Sequence, residues 1–215
     1  MKMVRMVAAT TVSFRLMFEL NEYGMVVDSE RPWLGGYFPD GDPGSYFPDF
    51  WRWVIEKYKI HSVIDVGCGS GKALRFFHDL GCDVLGVEGI PQRDSWIVEH
   101  DYTVGSFIPN RKFDLCWCCE FVEHVEERFM SNYLSTFSCA EMILMTHAQP
   151  GQGGHHHVHC QPDEYWIEVL KSIGYKYDPI LTAKGKELQP HGYWNWSGLA
   201  FRRGDRNVLY DSIDG

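Results

Sequence analysis

The stretch Ser62-Val63-Ile64-Asp65-Val66-Gly67-Cys68-Gly69-Ser70-Gly71 decides how this chain is read. Val63, Ile64 and Val66 are apolar and β-favouring, and glycines follow at every second position: Gly67, Gly69 and Gly71. A helix-compatible run, Lys72 to Leu80, comes next. The pattern predicts a buried strand, a tight turn and a helix whose N-terminus faces whatever lies over the turn. Glycines at such a turn let a ligand approach the main chain closely. The spacing is not the dinucleotide fingerprint G-x-G-x-x-G, because the third glycine arrives one residue early and Lys72 stands in its place. Nor does Gly67–Ala73 supply the G-x-x-x-x-G-K-[ST] of a Walker loop.

Working outward, Cys82-Asp83-Val84-Leu85-Gly86-Val87-Glu88 reads as a second strand that ends in an acid. An acidic side chain at that tip can accept from both hydroxyls of a ribose. A short apolar stretch, Trp96-Ile97-Val98, leads to Asp101, placed to accept from an adenine amino group. A fourth strand, Phe113–Cys119, ends at Glu120. The series V-I-D-V-G-C-G-S-G, V-L-G-V-E-G, H-D and F-D-L-C-W-C-C-E resembles the class I S-adenosylmethionine-dependent methyltransferases, over residues 50–205. The resemblance implies an α/β, Rossmann-like fold: seven strands, mostly parallel, an antiparallel closing strand, and helices on both faces. It also implies S-adenosylmethionine held by Asp65, Gly67, Cys68, Gly69 and Gly71. Glu88 and Gly89 would then take the ribose, Asp101 and Tyr102 the adenine, and Glu120 would border the same pocket.

The chain has 215 residues, enough for one substantial core. Its net charge of −9 opposes a long polyanionic partner, since nucleic-acid binding rests on lysine and arginine facing phosphate. Seven cysteines, an odd number, argue against a complete disulfide framework. Cys116 and Cys119 are formally C-x-x-C, but in a strand they point to opposite faces. The cysteines therefore read as reduced core thiols of a cytoplasmic protein. No apolar run is long enough to span a bilayer. Arg5 and Arg15 leave Met1–Phe14 too short an apolar region for a signal peptide.

Residues 1–49 read as an N-terminal hairpin and an arm, and residues 50–215 as the cofactor-binding domain. Val12–Leu20 and Met25–Asp28 would flank the turn Asn21-Glu22-Tyr23-Gly24. The stretch from Pro32 to Pro48 is rich in glycine, proline and aromatics (Trp33, Tyr37, Phe38, Tyr46, Phe47). It reads as a loop placed to close over a cofactor, or as a surface-packing arm. Asp49–Lys57 reads as a helix that feeds the first strand. After Glu120 a helix is expected from Val122 to about Phe137, then a fifth strand, Glu141–Thr146. A histidine-rich loop, Ala148–Cys160, and a helix from Pro162 to Gly174 follow. Tyr175–Leu188 and Trp196–Arg203 are expected to form the closing antiparallel pair.

Glu120, Glu123 and His124 spell E-x-x-E-H at the tip of the fourth strand. A helix beginning near Glu120 would put all three on one face. Two carboxylates and an imidazole suit Mg²⁺, Mn²⁺ or Zn²⁺, with a further ligand from His155, His156, His157 or His159. The pairing also resembles two metal-assisted groups, the small-RNA 3′-end 2′-O-methyltransferases and the O-methyltransferases of ubiquinone biosynthesis. That resemblance implies Glu120, Glu123, His124 and one loop histidine as metal ligands, with His156 favoured and His155 next. Without a metal, His124 or His156 could serve as general base. A third reading is purely structural, with the motif capping a helix and lining the pocket.

The expected activity is O-methylation of a small-molecule or sugar hydroxyl, with Trp33, Tyr37, Tyr46, Tyr193, Trp194 and Trp196 available to stack on a ring. An RNA 2′-O-methyltransferase is the alternative, but only Lys184, Lys186, Arg202, Arg203 and Arg206 offer scattered basic positions. N-methylation is disfavoured, since Cys119-Glu120-Phe121-Val122 stands where an N-P-P-[YF] motif would be. From another class, a catalytically silent cofactor-binding module would keep the fold. The intact Asp65, Gly67, Gly69 and Glu88 argue against it.

Overall fold

The protein is described from a computed structural model over residues 18–204. Three short antiparallel strands open it: β1 (Phe18–Leu20), β2 (Val26–Asp28) and β3 (Gly35–Tyr37). Helix α1 (Pro48–Tyr58) leads into β4 (Ser62–Val66), α2 (Lys72–Asp79), β5 (Asp83–Glu88), β6 (Ile97–Glu99) and β7 (Phe113–Cys118). Then come α3 (Met130–Phe137), β8 (Ala140–Met145), α4 (Asp163–Ser172), β9 (Tyr175–Tyr177), α5 (Pro179–Leu188), α6 (Tyr193–Ser197) and β10 (Leu199–Arg203). Seven strands make the main sheet in the order β6–β5–β4–β7–β8–β10–β9. β10 runs antiparallel to both neighbours, and the remaining pairings are parallel.

Strand alternation divides the core into two layers. Ile64, Val66, Cys116, Cys118, Ile143 and Met145 face α3 and α4, packing on Tyr133, Phe137, Trp166 and Leu170. Val63, Leu115, Trp117, Met142 and Leu144 face α1, α2, α5 and α6, packing on Phe50, Trp51, Phe77, Leu181 and Trp194. Helices thus cover both faces, as a sheet buried on both sides requires. Cys116 and Cys119 do lie on opposite layers, and all seven cysteines are free. Among the described residues no helix is long and apolar enough to cross a membrane.

Helix ends follow local chemistry. Pro48 and Pro179 occupy the first turns of α1 and α5, where no N–H is needed. The Asp178 side chain accepts from the Leu181 amide at 2.9 Å, and Lys59 ends α1 in the left-handed region at φ 54°. Asp114 joins the starts of β4 and β7. Its Oδ2 accepts from the His61 and Ser62 amides at 2.8 and 2.9 Å and from Ser62 Oγ at 3.0 Å. Asp114→Ala is expected to lower stability by about 1–3 kcal/mol, because charge-assisted bonds to two amides are lost. Urea denaturation reads it, and an unchanged midpoint would count against this role.

Several segments differ from the sequence expectation. Residues 12–17 of the expected hairpin, the segment Met1–Phe14 read as too short for a signal peptide, and Arg206 lie outside the described residues. The glycine-proline arm is not all loop, since Gly35–Tyr37 pairs with β2 and Pro43–Ser45 forms a 3-10 turn. The helix expected from Val122 begins only at Met130, after 3-10 turns at Val122–His124 and Glu127–Phe129. The closing antiparallel pair is present as β9 and β10, but its first half is mostly helix: of Tyr175–Leu188 only Tyr175–Tyr177 is strand, and Pro179 then starts α5, whose Gly185 lets the Trp194 indole rest on it.

Candidate active site

A cavity of 720 Å³ opens at the C-terminal ends of β4, β5 and β7. This is where strand order reverses about β4, the place where parallel sheets of this kind leave a crevice. Its floor is the turn Gly67–Ser70, and its roof is the arm from Trp33 to Tyr46. The first layer of the turn demands glycine. Gly67 has φ +74°, and a Cβ there would lie 2.5 Å from the Phe121 ring. Gly71, at φ 76°, caps α2 and lies outside the lining. Gly69 meets the arm, where its Cβ would stand 3.1 Å from Tyr37.

Glu88 at the tip of β5 is buried. Its Oε2 accepts from the Gly69 amide at 2.8 Å, and its Oε1 accepts from the Gly89 and Ile90 amides at 3.0 and 3.3 Å. Burial outweighs those donors and raises its pKa to about 7. Asp65, one strand over, is raised well above the carboxylate range by burial and by Glu88. The Cys68 thiol is raised too, by burial first, and its sulfur packs behind the turn against Gly86. Asp101 lines the cavity, but protein groups already engage it: Trp33 Nε1 donates to Oδ2 at 3.0 Å, and Thr103 to Oδ1. Tyr102 presents its ring to the wall while its hydroxyl pairs with Thr136 Oγ1 in the core, 2.9 Å away.

The E-x-x-E-H motif does not share a helical face. Glu120 takes a left-handed backbone, φ 49°, because the Thr146 hydroxyl at the tip of β8 accepts its amide at 3.0 Å. The next residues then enter a 3-10 turn instead of an α-helix. That turn is tied to the histidine loop, since the Glu123 carbonyl accepts from the Val158 and His159 amides at 2.9 and 3.1 Å. The loop register this sets brings His157, not His156, against His124, ring centroids 5.0 Å apart. His156 lies outside the cavity lining with φ 48°. His155 lines the cavity, and its Nε2 is buried without a partner.

Glu123, His124 and His157 form a cluster whose ligand atoms lie within 4.8 Å of one another. Glu123 is fully buried, and neither of its carboxylate oxygens has a hydrogen-bond partner. Glu120 Oε1 and His124 Nδ1 are equally unpartnered. His157 Nδ1 lies 3.1 Å from the Gln152 carbonyl. Donation to that carbonyl leaves Nε2 as a free acceptor, the tautomer that ligates. Burial pushes Glu123 and Glu120 upward, with Glu120 adding to Glu123, and lowers His124 to about 3, so the imidazole is neutral. His147 stays apart from this cluster, its Nε2 3.1 Å from Asp163 Oδ1.

Among the arm and late aromatics, Trp33, Tyr37, Tyr46 and Tyr193 line the cavity, Trp194 stacks on Trp117 in the core, and Trp196 is exposed. Lys184, Lys186, Arg202 and Arg203 all lie outside the lining. The sequence reading missed Asp42. Its carboxylate accepts from Tyr193 across 151 positions of sequence, and no local signal announces that contact.

Residues 64–133 match a family described as a methyltransferase domain. The fold is similar to a sugar N-methyltransferase from Streptoalloteichus, at 13% identity and TM-score 0.57, covering 76% of this chain and 90% of that one. It is also similar to a TehB-like SAM-dependent methyltransferase from Corynebacterium glutamicum, at 17% identity and TM-score 0.52, covering 76% and 89%. A third is an S-adenosylmethionine-dependent methyltransferase from Clostridium acetobutylicum, at 11% identity and TM-score 0.54, covering 77% and 94%. No curated protein matches the sequence. The family match starts inside β4 and ends within α3, so it takes in every strand tip that borders the cavity from below, and the chain carries a methyltransferase domain on the fold that these S-adenosylmethionine-dependent methyltransferases share.

Proposed function

We propose that the protein methylates a hydroxyl of a small molecule or sugar, with a divalent ion held by Glu123, His124 and His157 and with Glu120 beside them. The observation that carries the metal is the fully buried Glu123 carboxylate with both oxygens unpartnered. A buried carboxylate left so is costly unless a cation or a donor meets it. Two imidazoles and a carboxylate suit Zn²⁺ or Mn²⁺ better than Mg²⁺, which prefers oxygen ligands. A bound ion would lower the pKa of a coordinated hydroxyl, as it does for water.

The cofactor fits the cradle. The turn lines the cavity with main chain at Gly67 and Gly69, where no side chain intervenes, and Glu88 borders it with oxygens able to accept from ribose hydroxyls. S-adenosylmethionine, when bound, supplies an electrophilic methyl group on a sulfonium. The chain's own part is to bind, orient and exclude water, with Asp65 and Glu120 on the walls and Tyr37 over the turn. Free thiols at all seven cysteines support a reducing compartment such as the cytoplasm. An RNA substrate is disfavoured, since Lys72 is the sole lysine or arginine of the cavity lining among the described residues.

Calorimetry on chelator-treated protein tests the metal. One Zn²⁺ or Mn²⁺ per chain is expected, with Glu123→Gln and His157→Ala each weakening it by about 100-fold or more. His156→Ala is expected to leave metal affinity unchanged. Loss in His156→Ala with retention in His157→Ala would overturn the ligand set.

Glu88 gives a pH signature. Its folded pKa, about 7, lies above its ordinary 4.5, so its stabilising contribution is complete below 4.5 and is lost as pH rises through 7. Ribose hydroxyls need the ionised form as acceptor, so the effect on binding has the opposite sign. S-adenosylhomocysteine affinity is expected to rise about tenfold per pH unit between 5 and 7 and then level off. Glu88→Gln should flatten that profile, and an identical slope in the variant would exclude Glu88 as its source.

A further inference from the structure

We propose that Asp42 and Tyr193 are the acceptor-recognition pair of this cavity, and that they take hydroxyls of an uncharged polyol. The inference rests on the methyl-transfer reading above. Asp42 belongs to the arm and Tyr193 opens α6, and both line the cavity. The Tyr193 hydroxyl donates to Asp42 Oδ2 at 2.6 Å, while Asp42 Oδ1 accepts from the Gly44 amide at 2.7 Å. Tyr193 packs close to Gly44, so the pair is fixed by the main chain on the arm side.

The donor and acceptor count selects the ligand. Tyr193 has spent its hydrogen on Asp42, so the pair presents lone pairs and no free donor. Burial, then Asp42 and Glu120, push the phenol upward, so it keeps that hydrogen. Glu120 lines a second wall with its Oε1 unpartnered, a buried carboxyl group that a ligand hydroxyl can meet as donor or as acceptor. A ligand bridging these walls must donate to the pair and match either role at Glu120, which adjacent hydroxyls do.

Charge then excludes anions. Asp42 sits at the pair itself, and Lys72, the one lysine of the lining among the described residues, has its Nζ over the Tyr46 ring, 5.0 Å from the centroid. A phosphate or carboxylate on the acceptor would enter against that field, and a neutral hydroxyl would not.

The test uses the full chain saturated with S-adenosylhomocysteine, probed by saturation-transfer NMR. The probes are methyl glycosides of glucose, galactose, mannose and rhamnose, glucose 6-phosphate, and glucosamine. At least one neutral glycoside is expected to receive saturation, and the phosphate none. Asp42→Asn and Tyr193→Phe are each expected to weaken that binding about tenfold or more while cofactor affinity holds. Tyr193→Phe keeps the ring and guards against simple collapse of the arm. Preference for the phosphate or the ammonium sugar, silence from every neutral glycoside, or unchanged affinity in both variants would overturn the proposal. Failure to bind S-adenosylhomocysteine at all would instead overturn the reading beneath it.

Discussion

Gly67→Ala is expected to abolish measurable S-adenosylhomocysteine binding and to lower stability by about 2–5 kcal/mol. Two effects add. A side chain at φ +74° costs about 1–2 kcal/mol, since a Cβ crowds the carbonyl in the left-handed region. The new methyl also lands 2.5 Å from Phe121, whose ring makes edge contacts with Tyr102 and Tyr133. Phe121 cannot yield without disturbing that layer, so the turn itself must move, and the turn is the floor of the cavity. Calorimetry reads the binding and urea denaturation the stability. Retained cofactor binding in this variant would show that the turn is not the cradle.

Trp117→Ala carries the largest expected effect on stability, about 3–5 kcal/mol. Trp117 is almost wholly buried in β7 and joins four elements. It meets Phe47 and Trp51 edge-on at 5.5 and 5.2 Å and stacks on Trp194 at 6.0 Å. Removing it leaves a cavity between the sheet, the end of the arm, α1 and α6, which these aromatic neighbours cannot refill. In a chain of this length that corresponds to a fall in melting temperature of about 10 °C. Because Trp117 also borders the cavity, cofactor affinity is expected to fall with it. A loss below about 1 kcal/mol would mean that the aromatic cluster is not the fold's main support on this face.

The strand–turn–helix at Ser62–Leu80 was legible because its determinants are local: β-favouring residues, glycines and a helix-compatible run in one stretch. Glu88 was legible for the same reason, as an acid closing an apolar run. The E-x-x-E-H geometry was not. A helical reading assumes helical φ at Glu120, and Thr146, from another strand, fixes it otherwise. The histidine loop shows the same limit. Three consecutive histidines differ only in register, and the amides of Val158 and His159 set that register by bonding to Glu123. β3 was hidden because two glycines at φ 89° and 87° carry no strand signature. The closing pair was legible at β9 and β10, but not past Tyr177, where Asp178 and Pro179 start a helix that apolar pattern alone read as strand.

The central claim is tested most directly by titrating the full chain with S-adenosylhomocysteine in a calorimeter. One site per chain, lost in Gly67→Ala and dependent on pH through Glu88, is the predicted result. No heat of binding at any pH between 6 and 8, from protein that melts cooperatively, would contradict it.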